Sequence, residues 1–241
     1  MRDTMLKDKN RRLFQMKRLL SLILMLTMVF CGNTAFAAAP NSTDRNDILK
    51  SFEFIDIPEG YCEELQRQGF KVVEDLLGLE LIEYEGTEEI VNIPGGIYKI
   101  GKRAFEGCDN IKEVVFPQSE VFCVIDEYAF KDCTGLKEII FPNRLRAIEK
   151  CAFMNCKSLN DINMPASTFS IGEGAFVGCE SLSSIKLNSG LKYIKDNAFN
   201  GCGNVRNIEF PETILKIGEN AFSNCRNLEN VKFNISSENA N

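Results

Sequence analysis

The stretch "AIEKCAFMNCKSLNDINMP", residues 147–165, decides the fold because its pattern of apolar residues recurs along the chain. Aligned on Ala152-Phe153, the sequence contains five further Ala-Phe pairs, and successive pairs are 25 residues apart once and 23 residues apart four times. The six phenylalanines are Phe105, Phe130, Phe153, Phe176, Phe199 and Phe222. Isoleucine stands five residues before each of them, cysteine three residues after, and Ile or Val nine residues after. A unit this short cannot enclose a core alone, so the period predicts a solenoid whose neighbouring coils share one core.

Each unit has two parts with different periodicity. Leu159, Ile162 and Met164 lie in a segment that alternates apolar and polar residues and is followed by Pro165, which predicts a short, half-buried strand. Ala, Phe and Cys then occur at positions i, i+1 and i+4, a spacing that predicts one helical turn with all three side chains inward. The expected fold is a repeat solenoid with a parallel β-sheet on the concave side, short helical turns on the convex side and a small helical N-terminal cap.

The combination of Ile-Gly-x-x-Ala-Phe with Leu-x-x-Ile-x-Phe-Pro at a fixed offset closely resembles the BspA-type class of leucine-rich repeats of bacterial surface proteins. The resemblance covers residues 81–234, which comprise six repeats and a lead-in strand at Val91 and Ile93. It implies an extracellular binding or adhesion module that has no catalytic residues and no cofactor. The family defines no fixed ligand site that could be transferred to this sequence.

The two ends of the chain do not follow the repeat. Residues 1–37 are expected to be a signal peptide, because basic residues precede an apolar run and Ala35-Phe36-Ala37 fits a cleavage site; translation could start at Met16. Residues 38–80 are expected to form the N-terminal cap, whose segment from Pro58 to Glu80 contains many helix formers. Residues 235–241 form a polar tail. The expected location is secreted or on the bacterial cell surface.

The composition excludes several functions. The chain has no histidine, so Ser-His and Cys-His nucleophile pairs are impossible, and the commonest metal ligand is missing. Residues 38–241 contain 21 Lys and Arg against 32 Asp and Glu, a formal net charge of −11. This charge argues against nucleic acid and anionic membrane as partners, since both favour a basic surface. No segment after the signal predicts a membrane span.

Six of the ten cysteines occupy one column of the repeat. Neighbouring coils lie about 4.8 Å apart, and parallel side chains at that spacing are too far apart for disulfides. The column is therefore expected to be an inert ladder of buried thiols. The competing hypothesis is a redox or metal protein, with Cys62, Cys123 and Cys151 outside the column. Cys151 and Cys156 alone give a weak metal signal, because no His or second cysteine pair completes a tetrahedral set.

The outward residues of the strands form two rows on the expected concave face. The first row begins with carboxylates and the second with branched apolar residues, while later strands carry amides and mixed charge. The candidate partner-binding residues are Glu113, Val115, Glu138, Ile140, Asp161, Asn163 and Lys186. A binding role and a merely solvated acidic face both explain the first row, and a calcium site there would lack a closed loop.

The leading hypothesis is a non-catalytic extracellular module that binds a protein or glycan through its concave sheet. The alternative is a structural spacer or self-associating envelope component without a specific ligand. Leu228, Val231 and Phe233 of the last repeat would leave an open apolar edge, which either the polar tail shields or a second chain covers. A homodimer through that edge is the corresponding expectation.

Overall fold

The structure is a computed structural model of the 241-residue chain. It describes residues 57–58, 60–75, 77–118 and 121–234, of which residues 57–74 and 78–234 belong to one compact unit. The expected signal peptide, residues 1–37, and the polar tail, residues 235–241, lie outside the described residues.

The described residues form one helix and fifteen short strands. The helix is α1 (Tyr61–Arg67). The strands are β1 (Phe70–Asp75), β2 (Gly78–Tyr84), β3 (Ile90–Asn92), β4 (Ile97–Ile100), β5 (Glu113–Val115), β6 (Cys123–Ile125), β7 (Glu138–Ile140), β8 (Leu145–Ile148), β9 (Asp161–Asn163), β10 (Ser170–Ile171), β11 (Ser184–Lys186), β12 (Tyr193–Ile194), β13 (Asn207–Phe210), β14 (Lys216–Ile217) and β15 (Asn230–Phe233).

The coils stack as a β-solenoid of about seven turns. One continuous sheet has eight strands in the order β1-β2-β4-β6-β8-β10-β12-β14, and its neighbours from β2 onward pair in parallel. The register follows the sequence period, since Ile148 pairs with Ile171 and Ile171 pairs with Ile194. The predicted solenoid is confirmed. This sheet was not predicted, because the sequence analysis placed only one strand in each repeat.

The predicted Leu-x-x-Ile-x-Phe strands form a second layer. They pair in parallel and in register, but in three separate groups: β3-β5-β7, β9-β11 and β13-β15. Each coil therefore contributes one strand to each layer. The inward residue of each short strand except β15 is buried, as for Val114 and Ile162, and the residues on either side of it point away from the core.

The predicted helical turns are not confirmed, because the Ala-Phe-x-x-Cys segments form successive tight turns. In the coil of Phe153, the amides of Ala152, Met154 and Cys156 donate to carbonyls three residues earlier. The amides between them donate to the next coil, for example Phe153 N–H to the Ala175 carbonyl at 2.7 Å.

Left-handed backbone at two positions per coil prevents a helix there. One column of these residues is Arg103, Tyr128, Cys151, Gly174, Asn197 and Asn220, and the other is Gly107, Asp132, Asn155, Gly178, Gly201 and Asn224. Gly, Asn and Asp make up the whole second column and half of the first, because these residues adopt positive φ most readily. The left-handed residues turn alternate N–H groups toward the neighbouring coil, so the turns add backbone hydrogen bonds between coils.

The predicted helical cap is also not confirmed beyond one short helix. Helix α1 ends before Gly69, whose φ of +84° terminates it, and the chain continues as strand β1. The Gly69 carbonyl accepts a hydrogen bond from the Glu85 amide and Lys71 pairs with Glu83, contacts that run in opposite directions as in an antiparallel hairpin. Leu65 and Phe70 are buried by this arrangement. The start of the cap, residues 38–56, lies outside the described residues.

A continuous stack of aromatic rings occupies the core. The rings that follow one another in the stack are Phe70, Tyr84, Phe105, Phe130, Phe153, Phe176, Phe199 and Phe222, with neighbouring centroids 4.7–5.2 Å apart. The central rings are parallel within 3°. The inward phenylalanines predicted from the repeat are confirmed, and Tyr84 takes their place in the lead-in coil. Such rings contribute a large buried apolar area and favourable stacking.

Thr168 interrupts an otherwise apolar column of the long sheet. Its counterparts in the neighbouring coils, Leu145 and Leu191, are buried leucines. Thr168 is fully buried too, and its Oγ1 has no hydrogen-bond partner. A buried hydroxyl without a hydrogen-bond partner lowers stability, so Thr168 makes this coil less stable than a leucine at the same position would.

Candidate binding faces

The seven predicted partner-binding residues lie together on the outward side of β5, β7, β9 and β11. We call this surface the acidic–apolar face: Glu113, Val115, Glu138, Ile140, Asp161, Asn163 and Lys186. Strand register aligns Glu113 with Glu138 and Val115 with Ile140 in one sheet, and Asp161 with Ser184 and Asn163 with Lys186 in another. Equivalent outward residues therefore lie side by side within each pair of strands, and their role in binding stays a prediction.

Strand β3 extends this face toward the N-terminus. Ile90 pairs with Glu113 and Asn92 with Val115, so Ile90 continues the row of carboxylates and Asn92 the apolar row. Ile90 is 54% exposed and Ile140 is 39% exposed, which is unusual for large aliphatic side chains in a short sheet. The sequence analysis missed Ile90 because it precedes the first Ala-Phe pair. Its signal was the register of Val91 with the later strands.

The carboxylates of the acidic–apolar face differ from several other carboxylates in their ion pairing. Within the described residues, none of the ion pairs involves Glu113, Glu138 or Asp161. In contrast, Glu209 at the other end of the same rows lies 2.8 Å from Lys232 on the adjacent strand. The face therefore combines uncompensated negative charge with exposed aliphatic surface.

The eight-stranded sheet presents a second outward surface, which the sequence analysis did not predict. We call it the basic–aromatic face: Phe122, Arg144, Arg146, Phe169, Lys192 and Tyr193. Cations and rings alternate across it, and all six side chains are half-buried. The cations lie 4.9–5.8 Å from the ring centroids that they cover, within the range of a cation–π contact. The feature of the sequence that could have revealed this face is the pair of outward residues between the buried residues at the two ends of most strands.

The cysteine column carries no reactive chemistry. All nine described cysteines are free. The thiols of five of them donate to the carbonyl oxygen of a phenylalanine in the preceding coil: Cys133 to Phe105, Cys156 to Phe130, Cys179 to Phe153, Cys202 to Phe176 and Cys225 to Phe199, at 3.0–3.3 Å. Such weak S–H donors in a packed core suit a structural role.

The pKa values of the thiols agree with that role. Burial raises the pKa of Cys108 to about 11 and that of Cys123 to about 12, and it raises the pKa of Cys179 further. Cys151 is half-buried at a left-handed position, and burial raises the pKa of its thiol as well. A nucleophilic or redox thiol needs a lowered pKa. These environments favour protonated, unreactive thiols.

Two further structural findings concern ligands and membranes. In the part of the chain that the structure describes, no three or more Cys, Asp or Glu side chains come together in a way that could hold a metal ion. Across the same residues, no helix has the length and apolar character that a membrane span requires.

The stacked strand–turn–strand coils define a solenoid repeat protein. Residues 84–167 and 123–241 match the family described as BspA type Leucine rich repeat region, in six copies. These residues make up more than half of the chain, so the chain belongs to that family. Repeat proteins of this family are generally non-catalytic.

Solved structures of bacterial leucine-rich repeat proteins have a similar fold. The T. pallidum leucine rich repeat protein is 28% identical over 74% of this chain and 82% of its own, with a TM-score of 0.65. A leucine rich cell surface protein from Faecalibacterium prausnitzii is 24% identical, with a TM-score of 0.58; 70% of this chain matches 54% of that one. The pneumococcal vaccine antigen PcpA is 22% identical over 64% of this chain and 41% of its own, with a TM-score of 0.50. No curated protein matches the chain in sequence.

Proposed function

We propose that this chain is a non-catalytic module of the bacterial cell surface or exterior that binds an extracellular protein or glycan through its acidic–apolar face. The observation that carries the proposal is the alignment of Glu113 and Glu138 beside exposed Ile90 and Ile140 in paired strands of fixed register, with Asp161 exposed on β9. A rigid scaffold that holds such a surface in place lowers the entropic cost of binding. Solenoids commonly bind partners through an extended sheet surface.

The comparisons support the location as well as the class. The Faecalibacterium relative is described as a cell surface protein and the pneumococcal one as a vaccine antigen. The signal peptide predicted at residues 1–37 would deliver this chain to the same side of the membrane. A partner with basic groups next to apolar side chains fits the face best, because uncompensated carboxylates attract the basic groups and the exposed aliphatic side chains bury against the apolar ones.

A quadruple variant tests this function. Val115→Ser, Ile140→Ser, Glu138→Lys and Asp161→Lys together should abolish binding to immobilised extracellular-matrix proteins and glycans, while circular dichroism stays unchanged. The matched control changes two exposed aliphatic residues and two carboxylates elsewhere: Val73→Ser, Ile82→Ser, Glu180→Lys and Glu219→Lys. The control should bind as the wild type does. Undiminished binding by the quadruple variant would reject the face.

A second candidate function is self-association through the last coil. Leu215, Val231 and Phe233 are 66%, 53% and 52% exposed, and residues 235–241 contain only one large apolar residue, Ile235. The last coil exposes both charge signs, with Lys216 and Arg226 as well as Glu219 and Glu229. A twofold interface places a surface against itself, so both signs are needed for pairing.

Sedimentation over a range of concentrations tests the second candidate. The wild type should form a dimer as concentration rises, and Val231→Lys with Phe233→Lys should remain a monomer with an unchanged fold. A wild-type monomer at the highest concentration would reject self-association without affecting the binding function.

A further inference from the structure

In the basic–aromatic face, cations pack against aromatic rings. A continuous series of contacts crosses four neighbouring coils: Arg144 covers Phe122 at 4.9 Å, Arg146 lies 5.8 Å from both Phe122 and Phe169, and Lys192 covers Phe169 at 5.5 Å. The Phe169 ring meets the Tyr193 ring edge-on at 5.3 Å. Tyr193 in turn pairs with Lys216 on the last strand of the sheet.

Several lysines elsewhere in the described residues form ion pairs with carboxylates. Lys99, on the same sheet, lies 3.0 Å from Glu80 and 2.8 Å from Asp126. Lys150 lies 2.9 Å from Glu173. Such pairs leave little charge for an external ligand.

Lys192 and Lys216 lack this compensation. Among residues 57–58, 60–75, 77–118 and 121–234, no carboxylate forms an ion pair with either of them. An aromatic ring attracts a cation through its quadrupole and carries no net charge. The Phe169 ring therefore positions Lys192 and leaves the charge of its ammonium group available.

The outward positions of the last four long-sheet strands contain no acidic residue. Between the buried ends of these strands lie Arg146 and Ala147, Phe169 and Ser170, Lys192 and Tyr193, and Leu215 and Lys216. The chain as a whole has a formal net charge of −6. A basic surface on an acidic protein is a local arrangement that the overall composition conceals.

We propose that the basic–aromatic face is a second binding site, distinct from the acidic–apolar face, and that it takes an anionic polysaccharide. The carboxylate or sulfate groups of the polymer would pair with Lys192 and Lys216. The sugar rings would pack their apolar faces against Phe169 and Tyr193. This site would hold the module on an anionic glycan while the acidic–apolar face remains available to another partner.

The spacing of the face favours a polysaccharide over other anions. Strands in the sheet repeat at about 4.8 Å, a distance comparable with the advance of one sugar ring along a chain. A polymer that lies across the strands would thus meet a cation or a ring at nearly every strand. Duplex nucleic acid needs a basic field that covers many phosphates, which the net negative charge of this chain opposes. An acidic polypeptide offers no rigid apolar ring for the aromatic side chains.

Four polymers distinguish these ligands in a binding assay on the full chain: polygalacturonate, neutral dextran, polyglutamate and single-stranded DNA. Polygalacturonate should bind, with an affinity that falls as salt rises, and the other three should bind at least about tenfold more weakly. Equal binding of polyglutamate or DNA would overturn the assignment to a polysaccharide. No binding of polygalacturonate would overturn the site.

Matched variants locate the site. Lys192→Glu with Lys216→Glu should weaken polygalacturonate binding by about tenfold or more, since each lost charged contact is worth a large part of that factor. Lys137→Glu with Lys157→Glu makes the same change in net charge at two exposed lysines outside the face and should have a much smaller effect.

Phe169→Leu keeps an apolar side chain and removes the ring, so it should also weaken binding. Circular dichroism and the guanidinium midpoint verify that each variant is folded. Equal losses in the two lysine pairs would show a non-specific charge effect and would overturn the face. The quadruple variant of the acidic–apolar face should bind polygalacturonate normally, which separates this proposal from the proposed function.

Discussion

The central coils and the last coil contain the same columns of residues in different environments. Ile208 is 3% exposed while Val231, its partner on the next strand, is 53% exposed. Phe210 is 2% exposed and Phe233, one coil later, is 52% exposed. The difference arises from the neighbouring coil, because each coil of a solenoid is buried by the next one. Residues of the same column should therefore contribute more to the free energy of unfolding in a coil that another coil covers than in the last coil.

The largest effect should come from shortening a covered phenylalanine. Phe176 is fully buried and stacks between Phe153 and Phe199 at 5.1 and 5.2 Å. Phe176→Ala should lower the free energy of unfolding by about 3–5 kcal/mol, through lost burial and a cavity. Phe233→Ala in the last coil should cost far less, because half of that side chain already faces solvent. Guanidinium unfolding of both variants measures the difference, and equal losses would contradict the comparison.

A smaller effect of opposite sign is expected at Thr168, where a central coil contains a buried hydroxyl without a hydrogen-bond partner. Thr168→Val removes the buried hydroxyl that has no partner and keeps the volume. The variant should raise the free energy of unfolding by about 1–2 kcal/mol, since a buried polar group without a hydrogen bond costs about that much. Thr213→Val is the control, because the Oγ1 of Thr213 donates to the Leu191 carbonyl at 2.8 Å. That variant should not be stabilised; equal stabilisation would mean that the missing partner is irrelevant.

Alkaline pH should destabilise the fold, because thiols of the unfolded chain ionise at a lower pH than the buried thiols of the folded chain. Burial raises the pKa of Cys179 above its ordinary value of 9.0, so the folded thiol stays protonated where the unfolded thiol ionises. This contribution to stability is complete below pH 9 and is lost as pH rises beyond it. The loss is about 1.4 kcal/mol per pH unit for each such thiol.

The measurement is the change in the free energy of unfolding between pH 8 and pH 10 under reducing conditions. Cys179→Ala should show a smaller decrease than the wild type, by about 1 kcal/mol. The substitution creates the same cavity at both pH values, so the free-energy cost of that cavity cancels when the two free energies of unfolding are subtracted. Cys62→Ala provides a half-buried control in α1. An identical pH dependence in the Cys179 variant and the wild type would reject the assignment of a buried, protonated thiol.

The sequence predicted the features that follow directly from the length of the repeat. The inward Phe, Cys and Ile columns and the register of Glu113 with Glu138 follow from a repeat of nearly constant length, because equivalent residues must stack. The tight turns were predicted as helical because Ala, Phe and Cys are compatible with both. Left-handed backbone decides between a tight turn and a helix. The first of the two left-handed columns contains Arg103, Tyr128 and Cys151 as well as Gly and Asn, so its composition concealed the backbone requirement at that position.

The long sheet and its basic–aromatic face were missed for a related reason. Two outward residues separate the ends of most of these strands, and neither position keeps the same residue type in consecutive coils. A column is recognisable in a single sequence only where packing restricts the side chain. Outward positions such as Phe169 and Lys192 acquire meaning only when the register places neighbouring strands side by side.

The smallest effect is expected where central and last coils should be alike, at outward positions of the short strands. Ser184 lies on β11 beside Asp161, and Asn230 lies on β15 with its amide donating to the Asn207 side chain at 2.7 Å. Ser184→Ala and Asn230→Ala should each change the free energy of unfolding by less than about 0.5 kcal/mol, because neither side chain depends on a covering coil. Guanidinium unfolding of the two variants measures this. A cost above 1 kcal/mol for Ser184→Ala alone would show that outward positions also gain from central placement, and that burial by the next coil is not the sole difference between the coils.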